Sequence, residues 1–406
     1  MSARRAAVAG ALLVSLALPT TTYARGSAYV VSTPPGGTVD TPGDVSQFAI
    51  GAGGQLSALS PPTITAGRLP GYLAVTPNGK SVYVSNFLDD TISQYNVDPS
   101  TGALSPKNPA TIESGNSPAF GGAAGVAVTP DGTTAYVVNS ADNLVWMYNI
   151  DPATGKLSPK TPAGVPTSGG PQSIVVSPDG HNAYVTDQVG PTGSVSYTSG
   201  AVSQYTITPG TDVLVPKAPP TVDAGQQPQG LAVTPDGASL YVANYGIMDP
   251  QTFQHVDASI SQYTIVPGTG NLVPKVPASA PLPPDDPSSP TLPNQIAVTP
   301  DGNYAYAAIG RTLVQYKISG GSGNLSLNSP ATVGGGPDNV VAVSPDGASA
   351  YTQAAGNAVA EYSIDSTTGT LSPKSPASVG TSAGGPVAIA FGSLPRSCSG
   401  SNANCH

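Results

Sequence analysis

Side chains able to carry out acid–base or nucleophilic chemistry are scarce in this chain of 406 residues. It contains three histidines and two cysteines: His181, His255, His406, Cys398 and Cys405. His255 lies in a long irregular segment beside Asp257, where an imidazole could act as a base or bind a metal ion. A catalytic interpretation would therefore use His255, Arg68 or Arg311 together with nearby carboxylates.

Both cysteines lie in a Ser/Asn-rich tail, residues 394–406. In an oxidising compartment we expect a Cys398–Cys405 disulfide, with a metal-binding pair as the alternative. Haem attachment through Cys405 and His406 is excluded, because the partner position is Asn402 and not cysteine.

Asparagine and aspartate are the recurrent polar residues at the ends of apolar stretches, at Asn86, Asn139, Asp187 and Asn244. They could bind a polar ligand, but such residues also commonly stabilise turns. Calcium is a further candidate ligand at acidic segments, chiefly at Asp249 and Asp257. These segments lack the alternating ligand pattern of a calcium loop, so we expect no cofactor, with Ca²⁺ left as the alternative.

The elements that position these residues can be predicted from four short sequence motifs, here called phrases, that recur along the chain. The first is an apolar run ending in a turn, such as Val126 to Val128 before the turn Thr129 to Gly132, and it predicts a buried strand. The second contains a central tyrosine, and the third alternates in polarity as a half-buried strand does. The fourth resembles Leu-Ser-Pro-Lys; its proline predicts the outer edge of a sheet, where lysine would discourage edge pairing.

Four strands per unit, repeated every 45 to 65 residues or so, indicate the blades of a β-propeller. The chain begins with phrases two to four and ends on phrase one, Ile389 to Phe391. The two ends therefore complete each other. We predict an all-β, seven-bladed propeller of four-stranded blades over residues 25–393, in which N-terminal strands complete the C-terminal blade. An open solenoid does not explain the complementary ends.

The repeated Tyr-Val-Thr-Asp, Tyr-Val-Val-Asn and Tyr-Val-Ala-Asn segments lie between a Thr/Ser-Pro-Asp-Gly turn and a Gln-Tyr strand. In these motifs the chain resembles the bacterial YVTN-type, lactonase-like propellers, which include phosphogluconolactonase and carboxymuconate-cyclising enzymes. The resemblance implies a histidine just before a first-strand run. The equivalent positions here hold other residues: Tyr72, Gly125, Ser173, Gly230, Gln295, Val340 and Ala388.

Residues 1–24 have the features of a secretion signal: Arg4 and Arg5, an apolar stretch, and a cleavage site near Ala24. We therefore expect a secreted or cell-envelope protein, exported by the general or the twin-arginine route. The formal charge of −9 becomes −11 when the two arginines of this signal are removed. This acidity argues against nucleic-acid binding, and no later segment is long and apolar enough to span a membrane.

Without the expected histidine, the sequence favours a secreted binding module over an enzyme. Its partner would be a small polar ligand, a glycan or a protein, held on the Asn/Asp-lined face. The alternative is a lactonase-like hydrolase or a muconate-cyclising type of enzyme. Nothing in the sequence requires an oligomer, so we expect a monomer.

Overall fold

The computed structural model describes residues 26–33, 40–115, 122–188, 200–248, 255–284, 292–334, 339–381 and 385–392. These residues form β-strands and turns. Since none of them is helical, the described part contains no helix that could cross a membrane. The predicted signal, residues 1–24, and the tail, residues 394–406, lie outside the described residues, as do Cys398 and Cys405.

Seven antiparallel four-stranded sheets make up the described part, and we number them as blades 1 to 7. Blades 1 and 2 comprise β4(Pro70–Val75), β5(Ser81–Asn86), β6(Thr91–Val97), β7(Leu104–Glu113), β8(Ala123–Val128), β9(Thr134–Asn139), β10(Leu144–Ile150) and β11(Leu157–Pro166). Blades 3 and 4 comprise β12(Pro171–Val176), β13(Asn182–Asp187), β14(Ala201–Ile207), β15(Leu214–Asp223), β16(Pro228–Val233), β17(Ser239–Asn244), β20(Ser259–Ile265) and β21(Leu272–Ala280). A short hairpin, β18(Ile247–Met248) and β19(His255–Val256), lies in the loop between β17 and β20. Blades 5 and 6 comprise β22(Pro293–Val298), β23(Tyr304–Ile309), β24(Thr312–Ile318), β25(Leu325–Gly334), β26(Val341–Val343), β27(Ser349–Ala354), β28(Ala358–Ile364) and β29(Leu371–Gly380).

Blade 7 combines the two ends of the chain, as the complementary phrases predict. Its strands are β30(Pro386–Gly392), β1(Gly26–Ser32), β2(Pro42–Ile50) and β3(Leu56–Arg68), from the innermost to the outermost. Strand β1 pairs antiparallel with β30, with Val30 opposite Ile389. The predicted seven-bladed architecture is confirmed.

Apolar side chains fill the spaces between neighbouring blades. One cluster joins blades 7 and 1 through Tyr29, Val31, Val82 and Val84, and equivalent clusters occur around the ring. The middle strands are buried on both faces, because each blade packs against two neighbours. The core is therefore distributed around the ring.

Tyrosine hydroxyls tie each blade to the next. In every blade the second-strand tyrosine donates to a backbone carbonyl in the turn between the third and fourth strands of the following blade; Tyr83 donates to Gly155 at 2.6 Å. The complete set of donors is Tyr29, Tyr83, Tyr136, Tyr184, Tyr241, Tyr306 and Tyr351. Tyr351 donates to Gly54 and so helps to close the ring.

A buried glutamine of the third strand makes a second connection between blades. Gln94 Nε2 donates to the Pro109 carbonyl of its own blade at 3.4 Å, and its Oε1 accepts from Leu157 N of the next blade at 2.8 Å. The same pair of bonds occurs at Gln47, Gln204, Gln262 and Gln315. We call this arrangement the glutamine joint. Its proline follows a cis peptide bond in every blade.

The fourth strands are the outer edges, as predicted, but the expected role of their lysines is wrong. Lys107, Lys217, Lys275 and Lys374 are between 5% and 9% exposed. Lys107 Nζ donates to the Thr154 carbonyl of the next blade at 2.7 Å, and the others make equivalent bonds. These ammonium groups join blades because they reach carbonyls that the neighbouring turn leaves unpaired.

Candidate functional site

One face of the ring, here called the upper face, carries the loops that enter the innermost strands and those that join second to third strands. The register places the start of each innermost strand opposite the end of the second strand. Pro70 pairs with Asn86, Pro171 with Asp187 and Pro228 with Asn244. The Asn/Asp positions predicted to bind a ligand are thus brought to the same level, around the central channel.

Asn86 and Asn139 are fully buried and hold the loops of this face in place. Asn86 Nδ2 donates to Thr91 Oγ1 and Ser93 Oγ at 3.0 and 2.9 Å, and its Oδ1 accepts from Gly67 N at 2.8 Å. Asn139 donates to the Ser114 carbonyl and to Asp90, and its Oδ1 accepts two backbone N–H groups. Their ligand contact stays a prediction.

Asn244 and Asp187 are equally buried, but each keeps one oxygen without a partner among the described residues. Asn244 Nδ2 donates to Ser259 and Ser261. Asp187 Oδ2 accepts from Ser203 Oγ at 2.5 Å, while its Oδ1 has no hydrogen bond. Burial is the main cause that raises the pKa of Asp187 to about 6, since it disfavours the charged form.

Arg68 ends β3, just before the innermost strand of blade 1, and is held by Asp89. The backbone N–H of Arg68 donates to Asp89 Oδ2 at 2.6 Å, and its Nε donates to Oδ1 of the same carboxylate. Its Nη1 lies 3.6 Å from the exposed carboxylate of Asp40. The side chain of Arg68 is 34% exposed, so its guanidinium is both oriented and open to solvent. Hydrogen bonding to Asp89 raises the pKa of Arg68.

Asp90 and Asp142 converge on Gly115, at the upper end of the junction between blades 1 and 2. A β-carbon on Gly115 would lie 2.6 Å from Asp90 Oδ2 and 2.9 Å from Asp142 Oδ2. Asp90 Oδ1 accepts from Ser114 Oγ and Asn139 Nδ2. Asp142 Oδ2 accepts from the indole of Trp146 at 3.3 Å. Trp146 itself packs against the cluster between these blades.

Carboxamide side chains surround part of the channel mouth, and the sequence analysis missed them. Gln172, Gln229 and Asn294 follow the first proline of three successive innermost strands. Asn294 Nδ2 donates to Asn339 Oδ1, and Asn339 Nδ2 donates to Gln353 Oε1, both at 3.4 Å. The recurring Pro-Gln or Pro-Asn pair was the available signal.

Below this level Tyr72 lines the channel as a half-buried side chain. Its hydroxyl lies near Ser173, two blades away. Burial raises the pKa of Tyr72 to about 12, so the phenol is neutral at physiological pH. Gly125 belongs to the innermost strand between them, and a β-carbon there would lie 2.7 Å from the Ser173 Cα. The glycine permits this close approach.

The other predicted site residues are dispersed. Asp257 accepts from Gln226 in blade 4, and Arg311 is exposed in blade 5, two blades from the blade that carries Arg68. His255 pairs through its backbone with Met248, and Asp249 lies outside the described residues. His181 is exposed on the lower face beside Asp179. Within the described ranges, no three acidic, histidine or cysteine side chains are grouped to hold a metal ion.

A cavity of about 850 Å³ opens on the lower face between blades 3 and 4, lined in part by Asp179, His181 and Asp236. A related cavity of about 350 Å³ occurs between blades 4 and 5. Both are formed by the same recurring turns, so they reflect the repeat and do not distinguish one site.

Residues 41–196 match the family model described as a lactonase, seven-bladed β-propeller. The resemblance to the lactonase-type propellers is confirmed. The chain is also similar to solved structures at 18% identity: a provisional 6-phosphogluconolactonase of Bacteroides fragilis (TM-score 0.65; 92% of this chain, 99% of that one) and a periplasmic gluconolactonase of Pseudomonas aeruginosa (0.66; 91% and 99%). Hydrazine synthase of Kuenenia stuttgartiensis is similar at the same identity, with a TM-score of 0.54 (91% and 99%). No curated protein matches the chain.

At this identity the solved structures establish only the fold of this chain, and hydrazine synthase illustrates how varied the chemistry on one fold is. The family match nevertheless favours a lactonase-type activity over the binding module preferred from the sequence. The question of activity therefore depends on the groups at the channel mouth.

Proposed function

We propose that this protein hydrolyses an uncharged, polyhydroxylated lactone at the mouth of the channel on its upper face. The observation that carries the proposal is the oriented, half-exposed guanidinium of Arg68 on the same face as neutral carboxamides. Carboxamides both donate and accept hydrogen bonds, and so suit the hydroxyl groups of a sugar-derived lactone. The family match supports hydrolysis as the reaction.

Charge on the upper face argues against a phosphorylated substrate. Its described carboxylates are Asp40, Asp44, Asp89, Asp90, Glu113, Asp142, Asp187, Asp223 and Asp257. Its described cations are Arg68 and Arg311, whereas the described lysines lie toward the lower face. An acidic surface lowers the local concentration of anions and slows their association. A neutral lactone meets no such barrier.

In the proposed reaction, water adds to the lactone carbonyl carbon, the ring C–O bond breaks, and the ring oxygen leaves as a hydroxyl after taking a proton. Arg68 stabilises the negative charge that develops on the carbonyl oxygen. Asp90 is the proposed base, because its described hydrogen bonds fall on Oδ1 and its Oδ2 faces the gap at Gly115. The water gives its proton to this carboxylate, which returns it to the leaving oxygen.

The test is hydrolysis of gluconolactone and of 6-phosphogluconolactone, followed by proton release above the spontaneous rate. We expect a higher kcat/KM for the neutral lactone. We also expect the phosphorylated compound to react faster as salt screens the acidic face. Asp90→Asn should lower kcat about 100-fold or more, and Arg68→Met should lower it as well. Asp179→Asn on the lower face is the matched control and should leave the rate unchanged.

A binding module for a small polar ligand, a glycan or a protein is the second candidate. It is favoured because His181, the one histidine whose side chain the structure describes, lies on the lower face and therefore away from the proposed lactone site. Calorimetric binding of a neutral sugar to the upper face, without turnover of any lactone, would establish this function in place of hydrolysis.

Export and the terminal disulfide remain proposals that rest on the sequence. Mass spectrometry of protein from the producing cell is expected to show a chain beginning at Arg25 in the medium or cell envelope. A mass 2 Da below that of the reduced chain is expected for a Cys398–Cys405 bond. Full-length protein retained in the cell would contradict export.

A further inference from the structure

One glutamine joint differs from the others in a way that changes its chemistry. At the junction of blades 6 and 7 the third strand has Glu361 where five other blades have glutamine. Glu361 Oε2 accepts from Leu56 N of blade 7 at 3.1 Å, which reproduces the inter-blade bond. The other half of the joint is missing. Its Oε1 is buried and has no hydrogen-bond partner among the described residues.

The missing bond can be located from the repeat. In blade 5 Gln315 Nε2 donates to the Pro330 carbonyl, 15 residues further along the chain, at 3.0 Å. The corresponding residue for Glu361 is Pro376, which also follows a cis peptide bond. An ionised carboxylate has no proton to donate to this carbonyl, whereas a protonated one has one O–H group and can make the bond as glutamine does.

We propose that Glu361 is a proton-dependent joint at the point where the ring closes, intact when its carboxyl group is protonated and weakened when it is ionised. The site matters because blade 7 is the blade assembled from both ends of the chain. The pH dependence is confined to this junction, since the other blades have glutamine or, in blade 2, Met147, and neither side chain titrates.

The titratable groups around Glu361 are few. Tyr351 lies opposite it in β27, and burial raises the pKa of this phenol to about 12, so it stays neutral between pH 4 and pH 8. Lys374, in the adjacent fourth strand, interacts favourably with the ionised carboxylate, but its Nζ already donates to the Gly53 carbonyl at 2.6 Å and to Ser349 Oγ at 3.0 Å. Asp346 lies in the turn before β27, and its carboxylate, like that of Glu361, favours the charged form of Lys374. Burial outweighs these effects and raises the pKa of Glu361.

The sign of the pH dependence follows from this direction. Because its pKa is higher in the folded protein, Glu361 holds a proton that the unfolded chain has released. The joint therefore stabilises the fold most fully below the ordinary glutamate pKa. Its contribution is lost as the pH rises through the raised value.

The first experiment compares Glu361→Gln with the wild type by thermal unfolding between pH 4 and pH 8. Glutamine supplies the missing donor at every pH. We expect the variant to unfold roughly 2–4 °C higher at pH 8, a shift expected for one buried hydrogen bond, with the difference shrinking towards pH 4. An equal shift at all pH values, or a less stable variant at pH 8 because the attraction to Lys374 dominates, would overturn the proposal.

The second experiment locates the effect by hydrogen exchange. Amides of β28 and β29, the strands that the bond from Glu361 to the Pro376 carbonyl would join, should exchange faster at pH 8 than at pH 5 in the wild type, after correction for the intrinsic rate, and this excess should disappear in Glu361→Gln. The matched variant Gln315→Glu places the same defect one junction earlier and should add an equivalent excess in β24 and β25, while the excess in β28 and β29 remains. If exchange in β28 and β29 does not depend on residue 361, the proposal is wrong.

Discussion

Replacing Asp187 by asparagine is expected to stabilise the protein at neutral pH. Blades 1, 2 and 4 have asparagine at this position, and in blades 1 and 4 its Nδ2 donates to the third-strand serine, as Asn244 does to Ser261 at 2.9 Å. Asp187 is fully buried, with one carboxylate oxygen unpaired and a pKa raised to about 6. From an unfolded value of 3.8, this rise of roughly two units corresponds to about 3 kcal/mol.

The sign is fixed by the direction of the shift. Between pH 4 and pH 6 the folded protein binds a proton that the unfolded chain releases, so the free energy of unfolding falls as the pH rises. Above pH 6 the full loss persists. The Asp187→Asn variant should therefore match the wild type near pH 4. It should exceed the wild type by up to about 3 kcal/mol at pH 7.

Urea unfolding at half-unit steps from pH 4 to pH 8 measures this difference directly, from the midpoint and the slope. The matched control is Asn244→Asp in blade 4, which should introduce the same loss of stability with rising pH. A constant difference between Asp187→Asn and the wild type across the range would refute the reasoning, because it would show that ionisation of Asp187 does not affect folding.

Three further outcomes are expected. Tyr351→Phe removes the bond to the Gly54 carbonyl and should lower the free energy of unfolding by about 1–3 kcal/mol in urea titrations, since a buried acceptor loses its donor. Met147→Gln should raise it by about 1 kcal/mol, because the Met147 sulfur is a weak acceptor for Leu214 N at 3.3 Å and glutamine would restore a complete joint. Deleting residues 26–32 removes one strand of blade 7 and should abolish the cooperative unfolding transition seen by circular dichroism. An unchanged transition would contradict the pairing of β1 with β30.

The sequence predicted the fold well because the information for it is local and repeated. The Pro-Asp-Gly turns and the apolar runs mark strand ends directly, and the order of the phrases reveals how the ends pair. The lysines were misinterpreted for a physical reason. Whether Lys107 faces solvent or the neighbouring turn depends on how two blades pack, and no local pattern encodes that packing.

The candidate site was predicted less completely, for the same reason. Asn86 and Asp187 lie at the same height around the channel because successive strands run in alternating directions, and this could be predicted. Their burial depends on loops that fold over them, and this could not. The pairing of Arg68 with Asp89 likewise joins residues of two successive blades across a turn. The repeated glutamine before tyrosine was visible in the sequence, and a polar residue recurring in buried strands is a signal of inter-blade bonding.

Because β1 pairs with β30, the arrangement of the blades around the ring does not depend on which blade contains the chain termini. Gly26 and Gly392 lie at adjacent ends of β1 and β30, and a β-carbon on Gly26 would be 2.7 Å from the Gly392 carbonyl oxygen. A short peptide could span this gap and join the two strands covalently. New termini could then be placed in an exposed turn, such as the one at Gly320 between β24 and β25, to give a circularly permuted protein in which blade 7 is continuous and blade 5 is split instead.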